Sequence, residues 1–142
     1  MLQIAMQELL KAIASHLEFF GYTSTLEGDI LKVSHPQGTY FWVFPLNQGV
    51  LFRSLFKGGP AALEEPAELN AFLNRANSYC VVSRFVFKDE WLSVQAWFPN
   101  SYEKNAFAAF FTRYILDIAA CSNNEPDTVA KFFPPPSPAV GK

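Results

Sequence analysis

The stretch from Tyr79 to Phe98, YCVVSRFVFKDEWLSVQAWF, decides the fold. Two runs rich in β-branched and aromatic residues, Tyr79 to Phe87 and Trp91 to Phe98, flank the charged turn Lys88-Asp89-Glu90, the pattern of a β-hairpin. Side chains alternate across a strand, so Leu92, Val94, Ala96 and Phe98 share one face and Trp91, Ser93, Gln95 and Trp97 the other. The first set is a core face. The second puts two tryptophans beside a serine and a glutamine. Arg84 lies between Val82 and Val86 in the same way, and Arg53 between Leu51 and Leu55. A half-polar face bearing Trp and Arg has the composition of a contact surface.

Outward from the hairpin, the chain turns helical on both sides. Upstream, Leu69, Phe72, Leu73 and Ala76 recur at helical spacing from a start near Pro66, a residue suited to the first helical position. Glu64, Glu65 and Glu68 complement the positive end of that helix, which explains them without a metal. Downstream, Ser101 is a natural cap for a helix carrying Phe107, Phe110, Phe111, Tyr114, Ile115 and Ile118, a stripe expected at the centre of the core. Ala108, Ala109, Thr112, Leu116 and Ala119 flank it, so this helix is apolar over more than one side. It is either central in the core or meets another subunit.

The N-terminal half opens with a helix expected over Leu2 to Phe20. Its stripe is Leu2, Met6, Leu9, Ile13, Leu17 and Phe20, and Gly21 stands where a left-handed terminal turn requires glycine. A meander follows, with extended stretches at Thr23–Leu26, Ile30–Val33, Thr39–Leu46 and Val50–Phe56. Turn signals at Glu27-Gly28-Asp29, His35-Pro36-Gln37-Gly38 and Asn47-Gln48-Gly49 separate them. Pro45 cannot donate to a ladder, so its strand is near an edge or ends there. The expectation is an α+β single domain of order α-β-β-β-α-β-β-α, an antiparallel sheet with helices packed on it. The domain is expected to span residues 1–120. Residues 121–142 hold five of the ten prolines and read as a proline-rich, disordered tail, in which Pro135-Pro136-Ser137-Pro138 has PxxP spacing.

Composition narrows the function. The 142 residues suit one domain; half are hydrophobic and 17% charged, enough apolar content for a core. The net charge is −2 and the eleven Lys and Arg are scattered, so no nucleic-acid partner is expected. No signal peptide and no membrane span is legible. Two cysteines, Cys80 and Cys121, do not make a disulfide framework, and a reduced, cytoplasmic protein is expected. His16 and His35 lack metal-ligand spacing with the cysteines, and Ser15-His16 are helix neighbours that point apart. Gly58-Gly59-Pro60 has no lysine at P-loop spacing. No catalytic constellation, cofactor or metal is expected.

The segment ELNAFLNRANSYCVVSRFVFKDEWLSVQAWFP, followed by an apolar helix, resembles the YbjN-like family of bacterial sensory transduction regulators. The features carrying the resemblance are Leu73-Asn74-Arg75-Ala76-Asn77 at a helix end, the hairpin at Lys88-Asp89-Glu90, and the helix from Ser101 to Ala120. The element order is also similar to the fold of type III secretion chaperones. The resemblance covers about residues 2–120. It implies a non-enzymatic domain that binds a protein partner or client, often as a homodimer, and brings no catalytic residues with it.

The reading is therefore a protein-interaction module, chaperone-like or a regulatory adaptor, with Trp91, Trp97, Arg84 and Arg53 as partner-binding residues. The alternative is a regulatory domain that takes a small apolar ligand between sheet and helices, lined by Phe107, Phe110, Phe111 and Trp42.

Overall fold

A computed structural model describes residues 5–37 and 40–135. Helix α1 (Met6–Phe19) leads into β1 (Thr23–Glu27), β2 (Ile30–Ser34), β3 (Tyr40–Leu46) and β4 (Gly49–Lys57). Helices α2 (Pro60–Glu64) and α3 (Pro66–Tyr79) precede β5 (Arg84–Lys88) and β6 (Trp91–Pro99), and α4 (Lys104–Asn124) and α5 (Pro126–Phe132) follow. The six strands form one antiparallel sheet in the order β1-β2-β3-β4-β6-β5. The α+β class with helices on an antiparallel sheet is as the sequence leads one to expect. The first half supplies four strands, one for each of the four extended stretches, where the expected order counts three.

The periodicities set the layers. Leu9, Leu10, Ile13 and Leu17 of α1, Leu69, Phe72 and Ala76 of α3, and Phe107 and Tyr114 of α4 are buried. They cluster with the inward residues of the sheet: Leu31, Val33, Phe41, Val43, Val50, Phe52, Phe85, Leu92, Val94, Ala96 and Phe98. Phe110, Phe111, Ile115 and Ile118 pack against that core while half-buried. The Phe52 ring contacts those of Phe41, Phe107 and Phe110 with centroids 5.2–5.9 Å apart, edge-on or tilted for the last two, which is favourable aromatic geometry. Every helical stripe meets the same side of the sheet. The other side carries no described element.

Several local expectations are corrected. The first helix begins at Met6 within the described residues, and Leu2 lies outside them. Phe20 leaves the stripe and is 58% exposed, because the helix ends at Phe19 and Gly21 turns the chain at φ 92°. Ser101 does not cap α4. Glu103 does, its carboxylate accepting from the backbone N–H groups of Asn105 and Ala106 at 2.8 and 3.0 Å. The strand expected from Tyr79 begins only at Arg84: Tyr79 ends α3, and the N–H groups of residues 81–83 are taken by a side chain described below.

The largest correction concerns the expected tail at 121–142. Helix α4 runs on to Asn124, α5 occupies 126–132, and Cys121, Phe132 and Phe133 are buried. Phe132 and Phe133 sit 6.3 and 6.2 Å from the Phe72 ring, and Phe133 is 6.0 Å from Phe87. Burial of two phenylalanines outweighs the bias of the prolines, which fall at a helix start (Pro126) and beyond its end (Pro134) rather than within it. Most of the PxxP segment, from Pro136, lies outside the described residues.

Candidate interaction face and buried polar groups

Pairing register puts the outward side chains of the sheet into cross-strand rows. Thr25, Lys32, Trp42, Arg53, Gln95 and Arg84 are successive partners across all six strands. One row over, Phe44, Leu51 and Trp97 are partners, and on the opposite side Lys57, Trp91 and Lys88. Trp91, Trp97, Arg84 and Arg53 therefore lie on one uncovered face. Trp97 is 45% exposed, Trp91 41% and Leu55 46%. Leu51 is buried although no helix covers it, because Phe44 and Trp97 close over it from either side.

The indole of Trp97 is fixed. Its Nε1 donates to the Leu46 carbonyl at 2.7 Å, and the ring lies so close over Gly49 that a Cβ there would stand 2.5 Å from it. Position 49 admits only glycine if Trp97 is to lie flat on the hairpin. Between Trp97, Leu46, Leu51, Val82 and Arg84 is a surface concavity of about 360 Å³. Trp91 stacks under the Lys57 ammonium at 5.1 Å, and Lys57 also meets Glu90 at 3.1 Å.

The cations on this face are unevenly compensated. Lys32 bridges Glu27 at 3.0 Å and stands 5.2 Å from the Trp42 ring. Arg84 Nε donates to the Gln95 side-chain oxygen at 3.2 Å. Arg53 rests 5.1 Å over the Phe44 ring, and its Nε is buried without a hydrogen-bond partner among the described residues. Neither arginine forms a salt bridge among those residues.

The strongest polar constellation, which sequence reasoning missed, is structural. Asp117 of α4 is buried, and its carboxylate accepts from the N–H groups of Val81, Val82 and Ser83 at 2.9–3.2 Å. Arg113 comes within 3.8 Å, too far for a hydrogen bond. An acidic residue on the apolar side of the α4 stripe was the available signal. Cys80 and Cys121 are free thiols nearby. Burial, with Asp117 and Cys121 adjacent, pushes Cys80 up to about 12, and burial pushes Cys121 up to about 11, so neither is an activated nucleophile.

The histidines are separated. His16 Nδ1 lies 3.0 Å from the Tyr102 hydroxyl, with its ring edge-on to Phe107, and His35 packs 4.7 Å from Tyr22 on another element. Gly58 and Gly59 donate backbone hydrogen bonds to Glu90 and Phe132, closing the sheet onto α5. Among the described residues no three His, Cys, Asp or Glu are placed to hold a metal. The residues weighed as a small-ligand lining are split, Trp42 on the open face and the phenylalanines inside. One apolar cavity between sheet and helices, bounded by Phe72, Phe85, Val129 and Phe133, is about 80 Å³, while hollows beside Tyr22, Phe111 and Ile115 and beside Tyr40, Phe56 and Ile118 are about 300 and 420 Å³. The first is well below the ~300 Å³ at which ligand pockets begin, and the other two reach it.

No protein-family model matches the chain, and no curated protein matches its sequence. A solved structure does. The crystal structure of YbjN from E. coli, described as a candidate transcription regulator, superposes with a TM-score of 0.67 over 89% of this chain and 96% of that one. The fold resembles that of YbjN. Identity is 16%, so the likeness to YbjN is one of architecture. No described helix is long and apolar enough to cross a membrane.

Proposed function

We propose that this chain is a non-enzymatic interaction module, a chaperone-like or regulatory adaptor, that binds a protein partner across its uncovered sheet face. One observation carries the reading: a whole sheet face bears Trp42, Phe44, Leu55, Trp91 and Trp97 interleaved with Lys32, Arg53 and Arg84, and no described element covers it. Folded domains seldom leave so continuous an aromatic surface to water without a partner. Six strands about 4.8 Å apart and five to nine residues long make a face of roughly 600 Å². That approaches the ~800 Å² per partner of a standard interface.

YbjN's description as a regulator is compatible with an adaptor role. A cytoplasmic setting, proposed with it, suits two free thiols that are not activated.

The test is a paired substitution, Trp91→Ala with Trp97→Ala, in the tagged full chain expressed in its native host. Partners that co-purify stoichiometrically with the parent chain are expected to be lost from the variant while its circular dichroism stays unchanged. If every partner affinity and the oligomeric state are the same in both, the reading is wrong.

A further inference from the structure

Resting on that reading, we propose that the partner presents an acidic segment, with carboxylates on either side of an apolar anchor, to Arg53, Arg84 and the concavity beside Trp97. The argument begins with charge. The chain as a whole is at −2, yet the open face carries Lys32, Arg53, Arg84, Lys57 and Lys88 against one strand acid, Glu27. Glu27 is spent on Lys32, and the turn residue Glu90 on Lys57. What remains is Lys88 at the end of the edge strand and a pair of arginines in one cross-strand row, with Gln95 between them.

Two strand spacings separate Arg53 from Arg84 at the backbone, about 10 Å. The desolvated Nε of Arg53 has no acceptor among the described residues, a state that costs stability unless one is supplied. A carboxylate does so, and guanidinium groups pair with carboxylates in a planar, two-pronged geometry. The adjoining concavity has Leu51 as its floor, Trp97 and Val82 as walls and Arg84 at its rim. It fits an apolar side chain next to an acid.

Charge also separates this occupant from the others. A second copy seated by two-fold symmetry would set this face against itself, arginine towards arginine, with its acids already used. The residues outside the described parts, 1–4, 38–39 and 136–142, include no Asp or Glu, so they offer no side-chain carboxylate from this chain. Nucleic acid would need many phosphate contacts, and two of the five cations are already neutralised.

The experiment pans a library of short random peptides against the immobilised full chain. The best binder and its acid-to-amide counterpart (Glu→Gln and Asp→Asn) are then measured by fluorescence anisotropy. Enriched peptides are expected to carry acidic residues around an aromatic or aliphatic one. The amide counterpart should bind at least about tenfold more weakly, and so should the binder on Arg53→Gln/Arg84→Gln. Arg84→Gln alone serves if the double variant does not fold, since Arg84 is exposed.

Failure to enrich acidic peptides, or affinity indifferent to both arginine substitutions, overturns the inference. If Trp97→Ala abolishes binding and the arginine variants do not, the face binds protein but the acidic class is wrong. If none of these substitutions matters, the interaction face is wrong as well. Saturable binding of a labelled single-stranded oligonucleotide at physiological salt, lost in Arg53→Gln/Arg84→Gln, would replace the acidic peptide with nucleic acid. A parent dimer dissociated by Arg53→Glu would replace it with a second copy.

Discussion

The hydroxyl of Tyr114 meets the hydroxyl of Ser54 at 2.7 Å beneath the middle of the sheet, with both residues buried. Tyr114 also donates to the Val94 carbonyl, at a longer 3.2 Å. Burial holds the phenol well above its ordinary range, so it stays neutral and hydrogen-bonded at all working pH. This pair ties α4 to the centre of β4 and β6 within a core otherwise built largely of apolar side chains.

Tyr114→Phe keeps the ring and strands the serine hydroxyl. A loss of about 1–3 kcal/mol is expected by urea denaturation, the cost of a buried polar group without its partner. Adding Ser54→Ala should recover part of it, because both polar ends are then gone. Additive losses in that cycle would mean that the hydroxyls do not act as a pair.

Asp117→Ala should cost about 2–4 kcal/mol, since three backbone N–H groups lose a charged acceptor. Exchange of the amide protons at residues 81–83 should quicken more than elsewhere, and β5, an edge strand, should fray first. Protection at 81–83 unchanged from the parent would contradict the role given to this carboxylate.

Phe132→Ala is expected to cost about 3–5 kcal/mol, the penalty for emptying a buried aromatic site. A chain ending before Pro126 should lose cooperative thermal unfolding. Little change in either variant would restore the view of this segment as an appendage.

The His16 imidazole is held below the ordinary histidine range by burial, with the Lys104 charge adding to it. The unfolded chain therefore takes up a proton at this site first as pH falls. Stability from the neutral ring is complete above about pH 6.5 and declines as pH drops through the folded-state value. His16→Gln should flatten that part of the profile, measured as the denaturation midpoint between about pH 5 and 7. A slope unchanged by the substitution would assign it to other groups.

Much of the fold was legible because its periodicities are clean. Leu92, Val94, Ala96 and Phe98 are buried as alternation requires, and Leu69, Phe72 and Ala76 as helical spacing requires. The same alternation brought Trp91, Trp97, Arg53 and Arg84 onto one face, although only pairing register reveals that Arg53 and Arg84 share a row. What escaped depended on long-range contact. Asp117 looks like a solvent residue until residues 81–83 are folded against it.

The start of α5 is instructive. Glu65-Pro66 and Glu125-Pro126 adopt nearly the same backbone, with φ −127° and ψ 63° at Glu65 and φ −137° and ψ 62° at Glu125. Each proline opens a helix. At Pro66 a long apolar stripe follows and marks the helix, whereas at Pro126 the prolines clustered beyond it obscure the same signal.

Two turns described by their dihedrals bear on how the open face would bind. Asn47-Gln48 and Asp89-Glu90 are two-residue loops with both residues left-handed, φ 50° and 63°, then 53° and 69°. This is the tight hairpin geometry whose twist matches the strands. They clamp β3 to β4 and β5 to β6, the four strands that carry all three tryptophans and both arginines of the face. Such turns hold the surface in one shape, so association through it would spend little free energy on ordering this side of a complex. The calorimetric signature should then be set by the partner: a modest entropic penalty for a structured domain, and a large one for a segment that is disordered until it docks.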